Sequence, residues 1–316
     1  MTHRIFQSGV AVLHYAQSIE AQCNALFTAS TTYSTGEWPR GVAVADVNSD
    51  SKPDIIVTNF KSNNVGVLLN IGNGTFTAQT TYSTGVWPSG VAVVDVNSDG
   101  KPDIIVTNYA SSNVGVLLNT GNGTFTAQIT YSTGINPLGV AVVDVNSDSK
   151  PDIIVANYAS SNVGVLLNTG SGTFTAQATY STGSYPQYVV VLDVNSDRKP
   201  DIIVTNGGSN NVSVLLNTGS GTFTAQTTYS TGVWPSGVAV VDVNRDNKPD
   251  IVVTNEGSNN VGVLLNTGNG AFAAQTTYSS SSYPYGVAVV DVNGDSKPDI
   301  IATNINSNNV GVLLAC

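Results

Sequence analysis

The sequence predicts an all-β protein, a six-bladed β-propeller built from 49-residue, four-stranded blades and closed by its N-terminal strand. A phrase close to DVNSDGKPDIIVTN occurs six times in the 316 residues, at a constant spacing of 49, and each repeat contains four segments of β-type sequence. The copies begin at Asp46, Asp95, Asp144, Asp193, Asp242 and Asp291. A β-solenoid is the alternative, but its coils are usually much shorter.

Each repeat contains four candidate strands. In the copy from Gly90 to Tyr131, GVAVVDV and DIIVTN are rich in β-branched residues and flank the acidic loop, so they read as the first two strands. NVGVLLN follows as the third, and TGNG is a hairpin signal. TFTAQITY alternates bulky and polar residues and, being rich in Thr, suits an outer edge strand.

The two cysteines indicate how the ring closes. Residues 23 to 316 number 294, which is six times 49, so Cys23 and Cys316 occupy consecutive positions of one hairpin turn in the repeat frame. We therefore expect a Cys23–Cys316 disulfide, with Leu26–Tyr33 as the outer strand of the blade that begins at Gly286; two unpaired cysteines are the alternative. A disulfide would imply an oxidising compartment.

The predicted domain organisation is a tail or weak signal-like segment at residues 1–22, followed by a propeller at 23–316. No apolar run approaches the roughly 18 residues that a membrane span requires. The propeller is expected to be a monomer. Basic residues are few and unclustered, and this argues against a nucleic-acid partner.

The acidic residues are concentrated in one motif. The net charge is −10, and all 18 aspartates lie in the six repeated loops, whereas only Glu20, Glu37 and Glu256 lie elsewhere. In the second copy, side-chain oxygens fall at loop positions 1, 3, 5 and 9, and the carbonyl of Lys101 can add another ligand. Ligation by oxygen alone favours calcium. A hairpin held by Asx turns without metal is the alternative.

These positions predict up to six Ca²⁺ sites. The predicted ligands are Asp46, Asn48, Asp50, Asp54, Asp95, Asn97, Asp99, Asp103, Asp144, Asn146, Asp148, Asp152, Asp193, Asn195, Asp197, Asp201, Asp242, Asn244, Asp246, Asp250, Asp291, Asn293, Asp295 and Asp299. A sharp turn at loop position 6 requires a left-handed backbone, which favours glycine, but only Gly100 supplies it. Because the other residues adopt this conformation at a cost, the six sites should differ in calcium affinity. We expect dissociation constants in the weak extracellular range, roughly 10⁻⁴ to 10⁻³ M.

The loops DVNSDSKPD, DVNSDGKPD, DVNSDRKPD, DVNRDNKPD and DVNGDSKPD resemble those of the FG-GAP/VCBS repeat proteins, D-x-[DN]-x-D-G-x-x-D between two blade strands. The resemblance covers residues 27–316. It implies a propeller like the head of integrin α subunits and a role in extracellular adhesion or ligand binding. The family's propellers commonly have seven blades and carry the literal FG and GAP words, which are absent here. The 294-residue interval predicts six blades.

Variation among the copies indicates a ligand face. The linkers before GVAV and after TN vary most, and chain direction places both opposite the acidic loops. Exposed aromatic residues beside amides suit a sugar ring or a protein hot spot. The candidates are Trp38, Trp87, Tyr185, Trp234 and Tyr283.

The sequence therefore favours a secreted or cell-surface, calcium-binding module that recognises a glycan or an extracellular protein and is not an enzyme. A purely structural repeat protein is the alternative. A propeller hydrolase is the third possibility, and it would have to use Glu37 or Glu256, because both histidines lie in the tail.

Overall fold

A computed structural model describes residues 31–315 of the chain. The chain divides into two units, residues 1–34 and 35–316, and the account below concerns the second. Within the described residues, no helix is both long and apolar enough to span a bilayer.

The first blade shows the plan of all six. Strands β1 (Pro39–Ala45), β2 (Asp54–Asn59), β3 (Asn64–Leu68) and β6 (Thr80–Ser83) form an antiparallel sheet in the order β1-β2-β3-β6. Between β3 and β6, the short strands β4 (Asn70–Gly72) and β5 (Thr75–Phe76) pair as a separate hairpin. Because β2 and β3 are covered on both faces, most of their residues are buried.

The other blades repeat this plan. The second contains β7 (Pro88–Val94), β8 (Asp103–Asn108), β9 (Asn113–Leu117), β10 (Asn119–Gly121), β11 (Thr124–Phe125) and β12 (Ile129–Ser132). The third contains β13 (Pro137–Val143), β14 (Asp152–Asn157), β15 (Asn162–Leu166), β16 (Asn168–Gly170), β17 (Thr173–Phe174) and β18 (Ala178–Ser181). The fourth contains β19 (Pro186–Leu192), β20 (Asp201–Asn206), β21 (Asn211–Leu215), β22 (Asn217–Gly219), β23 (Thr222–Phe223) and β24 (Thr227–Ser230).

The fifth blade contains β25 (Pro235–Val241), β26 (Asp250–Asn255), β27 (Asn260–Leu264), β28 (Asn266–Gly268), β29 (Ala271–Phe272) and β30 (Thr276–Ser279). The sixth contains β31 (Pro284–Val290), β32 (Asp299–Asn304) and β33 (Asn309–Leu313). Short 3-10 helices occur at Tyr158–Ser160 and Glu256–Ser258. The predicted six-bladed propeller is confirmed.

One strand prediction was wrong in detail. The segment TFTAQITY is not one edge strand: Thr124–Phe125 pairs back in the hairpin, and Ile129–Ser132 alone forms the sheet edge. The cause is Thr126, whose hydroxyl and backbone N–H both bond to Leu118 and so bend the chain between the two strands.

The predicted ring closure falls mostly outside the described residues. The sixth sheet has three strands within residues 31–315, and of the predicted closing strand, 26–33, only residues 31–33 are described; they are not in a strand. Cys23 and Cys316, and therefore the predicted disulfide, also lie outside the described part. Val310 and Val312 of β33 are 58% and 51% exposed, whereas the corresponding valines of the other blades are at most 6% exposed.

The core lies between blades rather than within them. Val163 and Val165 of the third blade pack with Ile202, Leu215 and Phe223 of the fourth, and comparable clusters join the other neighbours. This burial supplies most of the apolar driving force for assembling the ring.

Polar contacts also join neighbouring blades. The hydroxyl of Tyr82 donates to the carbonyl of Gly123 in the next blade, and its ring meets Phe125 edge-on at 5.4 Å. The amide of Asn168 donates to the carbonyl of Val96, the second residue of the preceding blade's acidic loop, at 2.8 Å. Asn119, Asn217 and Asn266 make the same contact. Each acidic loop from the first to the fourth is thereby fastened to the following blade.

The strand register separates two faces. Pro39 pairs with Asn59 at one end of the first hairpin, and Ala45 pairs with Asp54 at the other. The variable linkers therefore lie at one end of the propeller and the acidic loops at the opposite end, as the sequence predicted.

The innermost strands of the blades line a central channel. Five blades have glycine at the third position of this strand, and in the first, second, third and fifth blades a Cβ there would collide with the next blade: at Gly90 it would lie 2.4 Å from the carbonyl oxygen of Leu138. The fourth blade has Tyr188 instead. Its ring meets Tyr285 of the sixth blade edge-on at 5.9 Å, so these two side chains span the channel. Burial, and then the neighbouring Tyr285, raises the pKa of Tyr188 far above its usual range, so Tyr188 remains a neutral phenol.

Candidate functional site

A cavity of about 650 Å³ opens where the channel meets the variable linkers. We call it the mouth. All six blades contribute to its lining, the sixth through Tyr285 alone. The lining residues are Trp38, Arg40, Phe60, Lys61, Trp87, Tyr109, Leu138, Tyr158, Gln187, Trp234, Glu256 and Tyr285. Its volume lies within the range of small-molecule sites.

Seven aromatic side chains follow one another around the mouth and form what we call the aromatic arc: Trp38, Phe60, Trp87, Tyr109, Tyr158, Tyr185 and Trp234. Every neighbouring pair has ring centroids 4.9 to 6.5 Å apart. Three pairs are stacked, and the closest, Tyr158 with Tyr185, is 4.9 Å apart. The arc runs from the first blade to the fifth without a break.

The backbone under the arc is strained. The residue before each linker proline has a positive φ: 54° at Trp38, 59° at Trp87 and 55° at Trp234. Asn136 of the third blade has the same conformation at 55°, and asparagine tolerates it far better than a bulky residue does. Aromatic residues therefore occupy these positions against the local backbone preference, a situation found most often at binding sites.

Hydrogen bonds hold the linkers of each blade together. In the first blade, the N–H of Phe60 donates to the carbonyl of Trp38, and the N–H of Gly36 donates to the buried Asn59 side chain. The amide of Asn59 in turn donates to Asn64 and Gln79. Because these partners are largely buried, the mouth presents its side chains from a fixed backbone.

Blade four shapes the mouth by having no side chain after its second strand. A Cβ on Gly207 would lie 2.5 Å from the Gln187 amide and 3.2 Å from the Trp234 ring. Glycine at this position lets Trp234 reach Tyr185 and so continues the arc.

Charged and polar groups are distributed unequally around the mouth. In the first blade, the Arg40 guanidinium lies 4.9 Å from the Phe60 ring centroid, and the Lys61 amine lies 3.7 Å from that of Trp38. In the fifth, Glu256 accepts a 2.9 Å hydrogen bond from the Ser236 hydroxyl. Burial and the neighbouring tyrosines raise the pKa of Tyr158, so it remains a neutral donor.

Four of the five predicted ligand-face residues, Trp38, Trp87, Tyr185 and Trp234, belong to the arc. Tyr283, in the sixth blade, is 41% exposed and lies outside it. The prediction omitted Arg40, Gln187 and Tyr285, which follow the linker prolines. The sequence contains a signal for them: this position is Arg, Ser, Leu, Gln, Ser and Tyr in the six copies, so it varies as much as the position after TN.

The acidic loops lie at the opposite face, and each is already folded by its own backbone. Asp50 donates its N–H to both Asp46 and Asn48, so the oxygens of positions 1 and 3 meet at one point. The second Asp46 oxygen accepts the N–H of Ser51 at 2.7 Å. The other loops repeat this arrangement, with the position-1 oxygen that accepts from position 6 at 2.7 to 2.8 Å throughout.

The ninth-position aspartates have a structural task. Asp201 is fully buried and accepts backbone N–H groups from Val194 and Asn217, which ties the loop to the hairpin strand of its blade. Burial raises the pKa of Asp201 to about 6, in spite of these two donors. The pKa values of Asp103, Asp152 and Asp250 are raised for the same reason.

The loops offer oxygen ligands of the kind calcium takes. Positions 1, 3 and 5 gather two carboxylates and an amide, although within residues 31–315 no three carboxylate, imidazole or thiol groups are clustered for a metal. The lysine at position 7 pairs with the position-5 aspartate at 3.0 to 3.9 Å in all six loops. These pairs are exposed and weak, so a divalent cation could displace the amine at little cost.

Left-handed backbone occurs twice in each loop. Position 6 has φ between 62° and 81°, as the sequence predicted, with a non-glycine residue in five loops. Position 4 has it as well, and there only the sixth loop has glycine, Gly294. The left-handed backbone at position 4 was not predicted, because the serine that most loops have there carries no sequence signal for positive φ.

The model of the FG-GAP-like repeat matches five overlapping stretches, residues 46–106, 95–155, 144–204, 193–253 and 242–302, which together span most of the chain. No curated protein gives a significant sequence match.

Several solved propellers share the fold. A lectin from Agrocybe aegerita that recognises non-reducing terminal N-acetylglucosamine is 23% identical, with a TM-score of 0.58 over 86% of this chain and 78% of the lectin. Virginiamycin B lyase from Staphylococcus aureus is 19% identical, with a TM-score of 0.62 over 91% and 84%. A putative 6-phosphogluconolactonase from Bacteroides uniformis is 14% identical, with a TM-score of 0.68 over 90% and 82%. At these identities the likeness concerns the fold alone.

Proposed function

This chain belongs to the FG-GAP-like repeat family, and from that premise we propose that it is a non-catalytic, extracellular binding module that recognises a glycan or protein ligand in its mouth. The continuous aromatic arc is the observation that carries the proposal. Aromatic faces bind the apolar side of a sugar ring or an anchor residue of a partner, and amide and hydroxyl groups beside them supply hydrogen bonds.

A glycan is favoured over a protein partner by the shape of the site. The mouth is a concave cavity rather than a flat patch, and its polar groups, Gln187, Ser236 and Glu256, stand among stacked rings. A protein partner usually needs a broad surface of about 800 Å² on each side. A lectin among the structures with this fold is consistent with this choice.

A binding role fits the chemistry better than an enzymatic one. Acid–base or nucleophilic catalysis needs a group placed for proton transfer or attack. Outside the acidic loops, the propeller's only carboxylates are Glu37 and Glu256, and residues 31–315 contain neither histidine nor cysteine. Glu256 accepts a hydrogen bond from Ser236, which suits a role in orienting a ligand hydroxyl.

Calcium is the second part of the proposal. We propose that the oxygens at loop positions 1, 3 and 5, together with the lysine carbonyl, hold Ca²⁺ at up to six sites, weakly enough that they fill only at extracellular concentrations. Since the carbonyl of the second loop residue accepts a bond from the next blade, a cation that stiffens the loop would also stiffen the interface between blades.

The test is a glycan array probed with the folded protein in millimolar calcium. Trp87→Asn and Trp234→Asn should each weaken the strongest hit at least about tenfold, because aromatic anchors commonly contribute more than 1 kcal/mol. Asparagine is the appropriate replacement, since Asn136 already holds the same left-handed backbone in the third blade.

Tyr283→Asn is the matched control: it has the same backbone conformation and lies outside the arc, so binding should be retained. Circular dichroism checks that each variant is folded. A blank array from folded wild-type protein would instead favour a purely structural propeller.

A further inference from the structure

We propose that the ligand of the mouth is a saccharide bearing an anionic group, a carboxylate or a sulfate, whose charge is bound by Arg40 and Lys61 while its ring stacks on the aromatic arc. This inference rests on the proposed function and specifies the substrate class of the same site.

The distribution of positive charge is the first observation. Residues 31–315 contain ten lysines and arginines, and eight of them lie inside the acidic loops. Arg40 and Lys61 are the exceptions, and both line the mouth. The corresponding residues in the other five blades are uncharged. For Arg40 they are Ser89, Leu138, Gln187, Ser236 and Tyr285, and for Lys61 they are Ala110, Ala159, Gly208, Gly257 and Asn306. Repetition of the blade does not account for two cations in the first blade alone.

Neither cation is neutralised by the protein. Within the described part of the chain, no carboxylate lies within 4.0 Å of either, although the six loop lysines all have such a partner. Both instead lie over aromatic rings of the arc, Arg40 over Phe60 and Lys61 over Trp38. Cation–π contacts of this kind orient the charged groups and leave their N–H donors free for an anion.

The chemistry of the two groups selects the ligand. A guanidinium binds a carboxylate or sulfate through two parallel hydrogen bonds, and a neighbouring ammonium adds a third. Trp38, Phe60 and Trp87 offer an apolar surface beside these donors, as the CH face of a pyranose requires. An anion without a ring would leave this surface unused.

The side of the mouth opposite Arg40 and Lys61 sets the orientation of the bound saccharide. Glu256, in the fifth blade, repels an anion but accepts hydrogen bonds from sugar hydroxyls. The acid group would therefore lie against the first blade and the hydroxyl-rich end of the sugar against the fifth. The loops' negative charge lies at the other face and does not oppose entry at the mouth.

The experiment is an array of matched saccharides on common backbones: neutral oligosaccharides, the same chains with uronic or sialic acids, methyl esters of those acids, and sulfated chains. The wild-type protein should bind the best acidic saccharide at least about tenfold more tightly than its methyl ester, since hydrogen bonds to charged groups are the strong ones. The carboxylated and sulfated arms show which acid is preferred.

Two variants test the assigned residues. Arg40→Ser installs the residue of the second and fifth blades, and Lys61→Ala that of the second and third, so both should fold. Each should weaken binding of the acid at least about fivefold more than binding of its methyl ester, because only the acid carries the charge that these side chains pair with.

The outcomes are distinguishable. If neutral saccharides bind as tightly as acidic ones and Trp87→Asn abolishes that binding, the proposed function stands and this inference is overturned. Binding of polyanions that is insensitive to Trp87→Asn also overturns it, because charge alone would then be responsible. If folded wild-type protein binds no saccharide, both the proposed function and the inference of an anionic ligand fail.

Discussion

The hydrogen bond that joins each hairpin to the preceding blade should make a measurable contribution to stability, and the repeat supplies its own control. Asn168 is 3% exposed, and its side chain makes three hydrogen bonds: to the carbonyl of Val96 in the second blade, to that of Pro151, and from the N–H of Gly170. Asn70 occupies the same position in the first blade. It keeps the bonds to Pro53 and Gly72 but has no bond to another blade in the described residues.

The magnitude follows from the difference between the two sites. Asn168→Ala removes three hydrogen bonds of about 1 kcal/mol each and leaves buried groups unpaired, so the free energy of unfolding should fall by about 3 kcal/mol. Asn70→Ala removes two bonds that water can replace, and we expect a loss of about 1 kcal/mol. The difference of about 2 kcal/mol measures the bond between blades and the burial around it.

Urea unfolding of both variants measures these losses, with the slope of free energy against denaturant serving as a check that the transition is unchanged. Each kcal/mol corresponds to a shift in Tm of roughly 2 to 4 °C for a chain of this size class. If the two substitutions cost the same to within about 0.5 kcal/mol, the contact between blades adds nothing and our reasoning on how the loops are fastened is refuted.

Two predictions concern the acidic loops. Ser149→Gly should raise the free energy of unfolding by about 0.5 to 1 kcal/mol, because relief of the left-handed backbone outweighs the flexibility glycine adds to the unfolded chain, and Gly100→Ser should lower it by a similar amount. Thermal unfolding of the pair measures this, and shifts of the same sign would contradict it. Removal of calcium with EDTA should lower the Tm by several degrees, since ligands that bind only the folded state stabilise it. Adding excess Mg²⁺ after EDTA is the control: it should not restore the Tm, because Mg²⁺ demands a more regular octahedral site. A Tm that EDTA leaves unchanged would refute calcium binding.

The blade count and the separation of the two faces followed from the sequence. Both depend on the repeat itself: the interval of 49 residues fixes the blades, and strand direction places the linkers before Pro39 and after Asn59 at one end. Buried strands such as DIIVTN were also recognisable, because their apolar residues continue without alternation.

What escaped prediction depends on contacts between segments distant in the chain. The hairpin of Asn119–Gly121 with Thr124–Phe125 is too short to give a pattern, and the Thr126 bond that isolates it is tertiary. The left-handed backbone at the tryptophans contradicts their local preference and is imposed by the linkers. The pairing of Arg40 and Lys61 with rings of the arc required knowing which linkers meet.

Tyr188 affects how solutes can pass along the central channel. Because the rings of Tyr188 and Tyr285 meet in the central channel, they narrow it below the mouth. A ligand of the proposed site would therefore enter and leave the mouth by the same side. The mouth and the acidic loops are therefore separate sites at opposite ends of the propeller, and a change of solute at one end reaches the other only through the surrounding solution or through the blades themselves.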